Sequence, residues 1–140
     1  MFEIASVVPE RTLAFRRAHE REALSTFWGF PVVWHEQRHE LAGLEGEEIV
    51  AAAGIWIAAS LARVESLVVA PERRSRGMGR ALLDEAAALG KYYNCHKLVA
   101  EVPARSGAQA FFERCGYRVE AVLPQHTWKL DVAVMRKFLL

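Results

Sequence analysis

The stretch Arg74-Ser75-Arg76-Gly77-Met78-Gly79 follows the largely apolar run Val64 to Ala70, with three residues between them. An arginine- and glycine-rich loop between a predicted strand and a helix that opens near Arg80 gathers several backbone N–H groups around one point. Such donors and a helix N-terminus both favour negative charge, so the loop reads as a phosphate cradle. Arg73, Arg74, Arg76 and Arg80 crowd the same stretch. The Lys-Ser/Thr of a P-loop and the third glycine of a dinucleotide fingerprint are both absent, so nucleotide hydrolysis is unsupported. Glu65 lies on the strand before the loop, and Glu101 near the end of a neighbouring predicted strand. Either carboxylate is a candidate general base; by period two Glu65 shares a face with Leu67 and Val69.

A competing pattern is His35-Glu36-Gln37-Arg38-His39, which matches His-Glu-x-x-His. On a helix it would place two histidines on one face for zinc, with the glutamate as base. It needs a third ligand and a helical lead-in. Phe30-Pro31-Val32-Val33-Trp34 is a poor lead-in, and Ala42 and Glu45 stand where the extended motif needs glycine and histidine. A zinc hydrolase is therefore kept only as an alternative. The segment otherwise reads as a wall of an acceptor pocket or as a solvated face.

These residues must be held by a scaffold. Phe2 to Val8 reads as a first strand, and Pro9 suits a helix start. Arg11 to Leu24 carries a helical pattern, and Ser25 to Val33 reads as a loop or short helix over a pocket. Glu40 to Leu44, Glu48 to Ala59 and Leu61 to Ala70 read as strands, with Glu45-Gly46-Glu47 as a turn. Ala81 to Leu89 has an apolar stripe of Leu82, Leu83, Ala86 and Leu89, with Gly90 as its stop. Lys97 to Val102 is a strand and Ala108 to Arg114 a short helix stopped by Gly116. Tyr117 to Leu123 and Val132 to Leu139 form a last antiparallel pair. Strand–helix–strand alternation in the middle implies a parallel pair inside a mixed sheet.

The loop, its preceding Val68-Val69-Ala70-Pro71-Glu72, the later run Ala108-Gln109-Ala110-Phe111-Phe112-Glu113-Arg114-Cys115-Gly116-Tyr117 and the ending Asp131 to Lys137 together resemble the GNAT superfamily of N-acetyltransferases. The resemblance is specific from about Ile49 onward. It implies an α/β (α+β) domain: a mixed, twisted sheet of six to seven strands with about four helices, split at the parallel pair. It implies acetyl-CoA as co-substrate, no metal, and a small-molecule or peptide amine as acceptor. Backbone groups of Ser75, Arg76, Gly77, Met78, Gly79 and Arg80 would hold the pyrophosphate. Leu67, Val68 and Val69 would pair with the pantetheine arm, and the backbone of Val69 would polarise the thioester carbonyl. Arg105, Ala108, Phe111 and Phe112 would line the other side. Arg73, Arg74 or Arg76 would meet the 3′-phosphate. The family often has tyrosine, a proton donor to the departing thiolate, where this chain has Phe112. An acyl-CoA-binding module with little catalysis is the alternative this substitution leaves open.

The chemistry implied is acyl transfer from a thioester to a neutral amine. An amine with a pKa of about 10.4 loses its proton at a cost of roughly 4–5 kcal/mol at pH 7. A base, directly or through water, lowers that obstacle. The thiolate, from a thiol of pKa about 8.5, leaves readily enough that the missing acid at Phe112 costs on the order of a hundredfold.

The bulk numbers fit one compact domain with a core. The chain has 140 residues, 52% of them hydrophobic, with 18 basic and 17 acidic residues and a net charge of +1. That balance gives no general pull toward nucleic acid or an anionic membrane. Two cysteines, Cys95 and Cys115, with no leader pattern, point to a reducing cytoplasm. The acceptor pocket is expected from the first 45 residues and the loop around His126 and Trp128. Trp28, Trp34, Trp56 and Trp128 are possible aromatic walls. An exposed last strand pair would permit a homodimer.

Overall fold

The computed structural model describes residues 1–140. The chain divides into two compact units, Met1–His35 and Glu36–Leu140. The first is built on helix α1 (Glu10–Trp28). It opens at Pro9 and closes at Gly29, whose left-handed conformation (φ 80°) lets its N–H reach Ser25 O at 2.9 Å. Ser25 also accepts from Val32 N–H through its hydroxyl, at 2.8 Å. Residues 2–8, expected as a strand, form none. The apolar run is there, but no neighbouring strand pairs with it, and a lone strand leaves its backbone groups unsatisfied. The expected helix and the loop or short helix after it are one continuous helix as far as Trp28.

The second unit is a mixed sheet with two helices. Its strands are β1 (Glu36–Glu45), β2 (Glu48–Ala58), β3 (Leu61–Val69), β4 (Lys97–Pro103), β5 (Arg118–Thr127) and β6 (Leu130–Phe138). They lie in the order β1-β2-β3-β4-β6-β5. A short 3₁₀ turn (Pro71–Arg73) and helix α2 (Met78–Tyr92) connect β3 to β4, and helix α3 (Gly107–Arg114) connects β4 to β5. The crossover through α2 makes β3 and β4 the one parallel pair; every other pairing is antiparallel. The architecture is the α+β fold with a central parallel pair that the sequence implies.

Helix α2 buries Leu82, Leu83, Ala86, Ala87 and Gly90. They pack on one face of the sheet with Ala53, Ile55, Leu98 and Met135, all 2% exposed or less. Gly90 is not the helix stop expected of it. The helix runs on to Tyr92, and Gly90 is a close-packing position: a Cβ there would lie 2.7 Å from Leu139 Cδ1 and 3.4 Å from Ala62 Cβ. Both cysteines are free and buried, and burial pushes the Cys95 thiol up. No helix is long and apolar enough to cross a membrane.

The zinc alternative fails on geometry. Residues 36–39 belong to strand β1, not to a helix. Four residues of extended chain separate His35 from His39 by roughly 13 Å, against about 6 Å along a helix. No three His, Cys, Asp or Glu side chains gather closely enough to hold a metal ion. His39 instead bonds Gln37 Oε1 through Nε2 at 2.9 Å and packs on the ring of Tyr93.

Gly90→Leu should destabilise the fold by about 1–3 kcal/mol, because the core against Leu139 has no room for a side chain. Urea unfolding of the variant beside the wild type measures it; an unchanged midpoint would contradict the packing.

Candidate active site

Strands β3 and β4 are paired only through Leu61↔Lys97, Ala62↔Leu98 and Arg63↔Val99. Beyond Arg63 they diverge. A bulge begins the divergence: Gly54 of β2 is opposite Ser66 and Ile55 opposite Val64, so Glu65 has no partner of its own. The bulge also resets the alternation. Ala62 and Val64 before it, and Leu67 and Val69 after it, all pack against the core. Period two therefore does not carry across Glu65, contrary to the face assignment made from the sequence. The divergence opens a cavity of about 260 Å³ lined by Arg63, Val64, Glu65, Val99, Ala100 and Glu101. The two candidate bases thus stand on opposite walls of one cleft.

Their surroundings differ. Glu65 Oε1 accepts a short hydrogen bond from Arg38 Nη1, an ion pair across from β1. Glu101 is exposed, and its side chain makes no hydrogen bond or ion pair. On the same face, the guanidinium of Arg38 lies 5.8 Å and that of Arg63 5.5 Å from the centroid of the Trp56 ring.

The arginine–glycine loop stands at the open end of the cleft. Past Arg63 the edge of β3 that faces β4 is unpaired, and this edge includes Leu67, Val68 and Val69. Ala70 N–H closes the strand on Val50 O at 2.8 Å. The chain then turns through Ser75 (φ 63°) and Gly77 (φ 85°). Gly77 is the N-cap of α2, and no side chain caps the helix. The first helical hydrogen bond is Ala81 N–H to Gly77 O at 3.0 Å. The N–H groups of Met78, Gly79 and Arg80 precede it and have no intrahelical acceptor. They point along the positive end of the helix dipole.

Three of the four arginines are engaged. Arg73 Nε donates to Glu45 Oε1 at 2.7 Å, and Arg74 Nε to Val69 O at 3.2 Å. Arg80 Nη2 donates to Arg114 O at 2.6 Å, tying α2 to the C-terminal end of α3. Arg76 is exposed, and its side chain makes no such bond.

Helix α3 meets the loop through an aromatic contact. A Cβ on Gly79 would lie 2.9 Å from Phe111 Cζ, so glycine there lets the ring close on the start of α2. Phe112 is 4% exposed and lies edge-on to both Phe111 and Tyr117. Its ring belongs to the core, whereas Ala108 is exposed. Tyr117 is 3% exposed, and its hydroxyl has no hydrogen-bond partner. Burial, with Cys115 and Asp84 nearby, holds its phenol well above the ordinary range, so it stays protonated.

Arg105 is not free to reach across the groove. Its Nη2 donates to Asp131 Oδ2 at 2.9 Å, and its N–H donates to Gln109 Oε1 at 2.6 Å. Ser106 caps α3 by accepting from Gln109 N–H at 3.2 Å. Asp131 also accepts from Gln125 N–H at 3.0 Å, so the β5–β6 turn is fastened to the start of α3.

The model of the acetyltransferase (GNAT) family matches residues 4–117. The chain belongs to this family. The enzyme is therefore an acetyltransferase, and acetyl-CoA is the family's acetyl donor. Solved structures share the fold at low sequence identity. An acetyltransferase from Bacillus cereus superposes with a TM-score of 0.76 at 15% identity, over 99% of this chain and 98% of that one. The ribosomal-protein-S18-alanine N-acetyltransferase of Escherichia coli gives 0.65 at 18%, over 99% and 94%. An acetyltransferase of Bacillus anthracis in complex with acetyl coenzyme A gives 0.68 at 16%, over 72% and 63%.

The structure places Glu65 and Glu101 on one cleft, the arginine–glycine loop at its open end, and Phe111 against Gly79 of that loop. The Arg38–Trp56–Arg63 stack was not anticipated. Its one signal was alternation: Arg63 is two residues before Glu65, and Trp56 is opposite Arg63 in the antiparallel register.

The Asp131 clamp has a pH signature. The Gln125 N–H, with the Arg105 guanidinium second, holds the Asp131 carboxyl below its usual range. A depressed native value means that the clamp stabilises fully above the unfolded value, about 3.9, and that this is lost as pH falls through the native value. The difference in melting temperature between wild type and Asp131→Asn should be constant above about pH 5 and shrink on acidification. A difference independent of pH down to the native value would refute the ionic clamp.

Proposed function

We propose that the enzyme transfers the acetyl group of acetyl-CoA to a primary amine by direct attack, with a carboxylate of the β3–β4 cleft as general base. The observation that carries this reading is the uncapped N-terminus of α2 at the mouth of a cleft walled by Glu65 and Glu101. The free N–H groups of Met78, Gly79 and Arg80 suit a pyrophosphate, and the unpaired β3 edge at Leu67 to Val69 suits the amide groups of pantetheine as an added strand would. Arg76, the one loop arginine without a partner, is the candidate for the 3′-phosphate. Ala108 and Phe111 face the arm from α3. Arg105 is held by Asp131, and Phe112 serves through packing.

The amine nitrogen attacks the thioester carbonyl carbon. The C–N bond forms, the C–S bond breaks, and the carbonyl oxygen draws on backbone donors near Val69. A base needs a free lone pair. Glu65 already accepts from Arg38, whereas Glu101 is unengaged. Glu65 helps to hold the ammonium form, Glu101 is assigned its first proton, directly or through water, to give the neutral nucleophile, and the second nitrogen proton passes to solvent as the tetrahedral intermediate collapses. The thiolate takes its proton from solvent, since Phe112 has none to give.

Calorimetry with acetyl-CoA tests the donor site. Gly77→Asp should abolish binding, because a carboxylate would meet phosphate. Arg76→Ala should weaken coenzyme A and leave 3′-dephospho-coenzyme A unaffected; equal losses for both would remove Arg76 from the 3′-phosphate.

Glu101→Gln should lower kcat at neutral pH by ~10²- to 10⁴-fold, with the deficit shrinking at alkaline pH as more acceptor arrives neutral. Glu65→Gln should act mainly on the acceptor KM. Intact activity and pH profile in Glu101→Gln would exclude it as the base.

A further inference from the structure

We propose that Arg63 selects the acceptor: the cleft takes a small amine that also carries a carboxylate, of the α-amino acid type, with the carboxylate on Arg63 and the amine at Glu101. This rests on the acetyl-transfer reading above and names its acceptor class.

Arg63 lines the cleft cavity, and its guanidinium has no carboxylate or carbonyl partner. Its Nε is buried without an acceptor, and its one contact of note is the Trp56 ring, 5.5 Å away. The other arginine on that ring, Arg38, is already neutralised by Glu65. Arg63 is half-buried and only its Nε is shut away from solvent, so its Nη groups remain open toward the cleft, where an anionic ligand can engage them and complete the hydrogen bonding of the guanidinium. Carboxylate is the anion a guanidinium meets best in a planar, paired fashion.

The spacing then limits the ligand. Ala62 and Leu98 are partners in the parallel register, and both lie in the core on the α2 face. Arg63 and its partner Val99 therefore point to the other face, as does Glu101 two residues further on. Glu101 is roughly 7 Å along β4 from the level of Arg63. With a hydrogen bond at each end, the amine and carboxylate of the ligand can be only a few ångström apart. A volume of about 260 Å³ suits a molecule of amino-acid size. A polyamine or aminoglycoside would bring further positive charge against Arg63 and supply no anion for it. An internal peptide lysine would leave Arg63 without its anion.

The test compares free L-amino acids, their carboxamides, spermidine and short peptides as acceptors, measured by thiol release from acetyl-CoA. Acetyl-CoA affinity is measured separately by calorimetry. The expected result is that kcat/KM for a free amino acid exceeds that for its amide by about 30-fold or more, the scale of one charged hydrogen-bonded pair. In Arg63→Gln the acid-to-amide ratio should fall toward one, and Arg63→Lys should restore part of it. Circular dichroism of both variants guards against misfolding. Bound acetyl-CoA with a preference for spermidine, peptides or amides overturns the Arg63 assignment alone, as does an unchanged ratio in Arg63→Gln. No binding of acetyl-CoA overturns the acetyl-transfer reading itself.

Discussion

The site depends on β3 and β4 ceasing to pair after Arg63 and Val99. A parallel pair inside a sheet normally continues its ladder, because unpaired backbone groups are expensive away from water. Here the bulge at Glu65 turns β3 away, and β4 keeps its full antiparallel ladder with β6. The result is a wedge with a free backbone edge on one wall. Everything with chemical capacity is arranged around it: the arginine–glycine loop at the mouth, Glu65 and Glu101 on the walls, and the Arg38–Trp56–Arg63 stack on the face away from α2.

The wedge stays open because both walls are anchored elsewhere. On the β3 side, α2 packs its apolar stripe on the sheet, and Gly90 lets the helix approach Leu139 and Ala62 closely. On the β4 side, the Arg105–Asp131–Gln125 bonds fasten the β5–β6 turn to the start of α3. The two sides meet where Phe111 closes on Gly79 and Arg80 bonds the end of α3. One signature's glycine makes room for the other signature's aromatic ring, which is a physical reason for the two to occur together in one chain.

The substitution that distinguishes this chain, Phe112, sits in a dry aromatic cluster with Phe111 and Tyr117. A phenyl ring satisfies such a site by packing alone. The buried, unpartnered hydroxyl of Tyr117 is the polar exception there, and burial keeps it neutral. The aromatic cluster thus shapes the groove, and the proton traffic belongs to the carboxylates of the cleft.

Local pattern by itself determined the strands and helices from β2 onward, the phosphate-suited loop and the parallel crossover. These follow from period, glycine placement and chain order, which act over a few residues. The same local signals misread residues 2–8, where an apolar run found no strand to pair with, and Gly90, where a packing contact outweighed the usual stop. They also misread the face of Glu65, and they left the His35-to-His39 segment open between a helical zinc pair and a pocket wall or solvated face. A bulge and a strand pairing decided those, and both are set by a partner strand distant in sequence. The tertiary structure alone decided which arginine is free and which carboxylate is engaged. Ion pairs such as Arg38–Glu65 and Arg73–Glu45 join residues that only the sheet brings together.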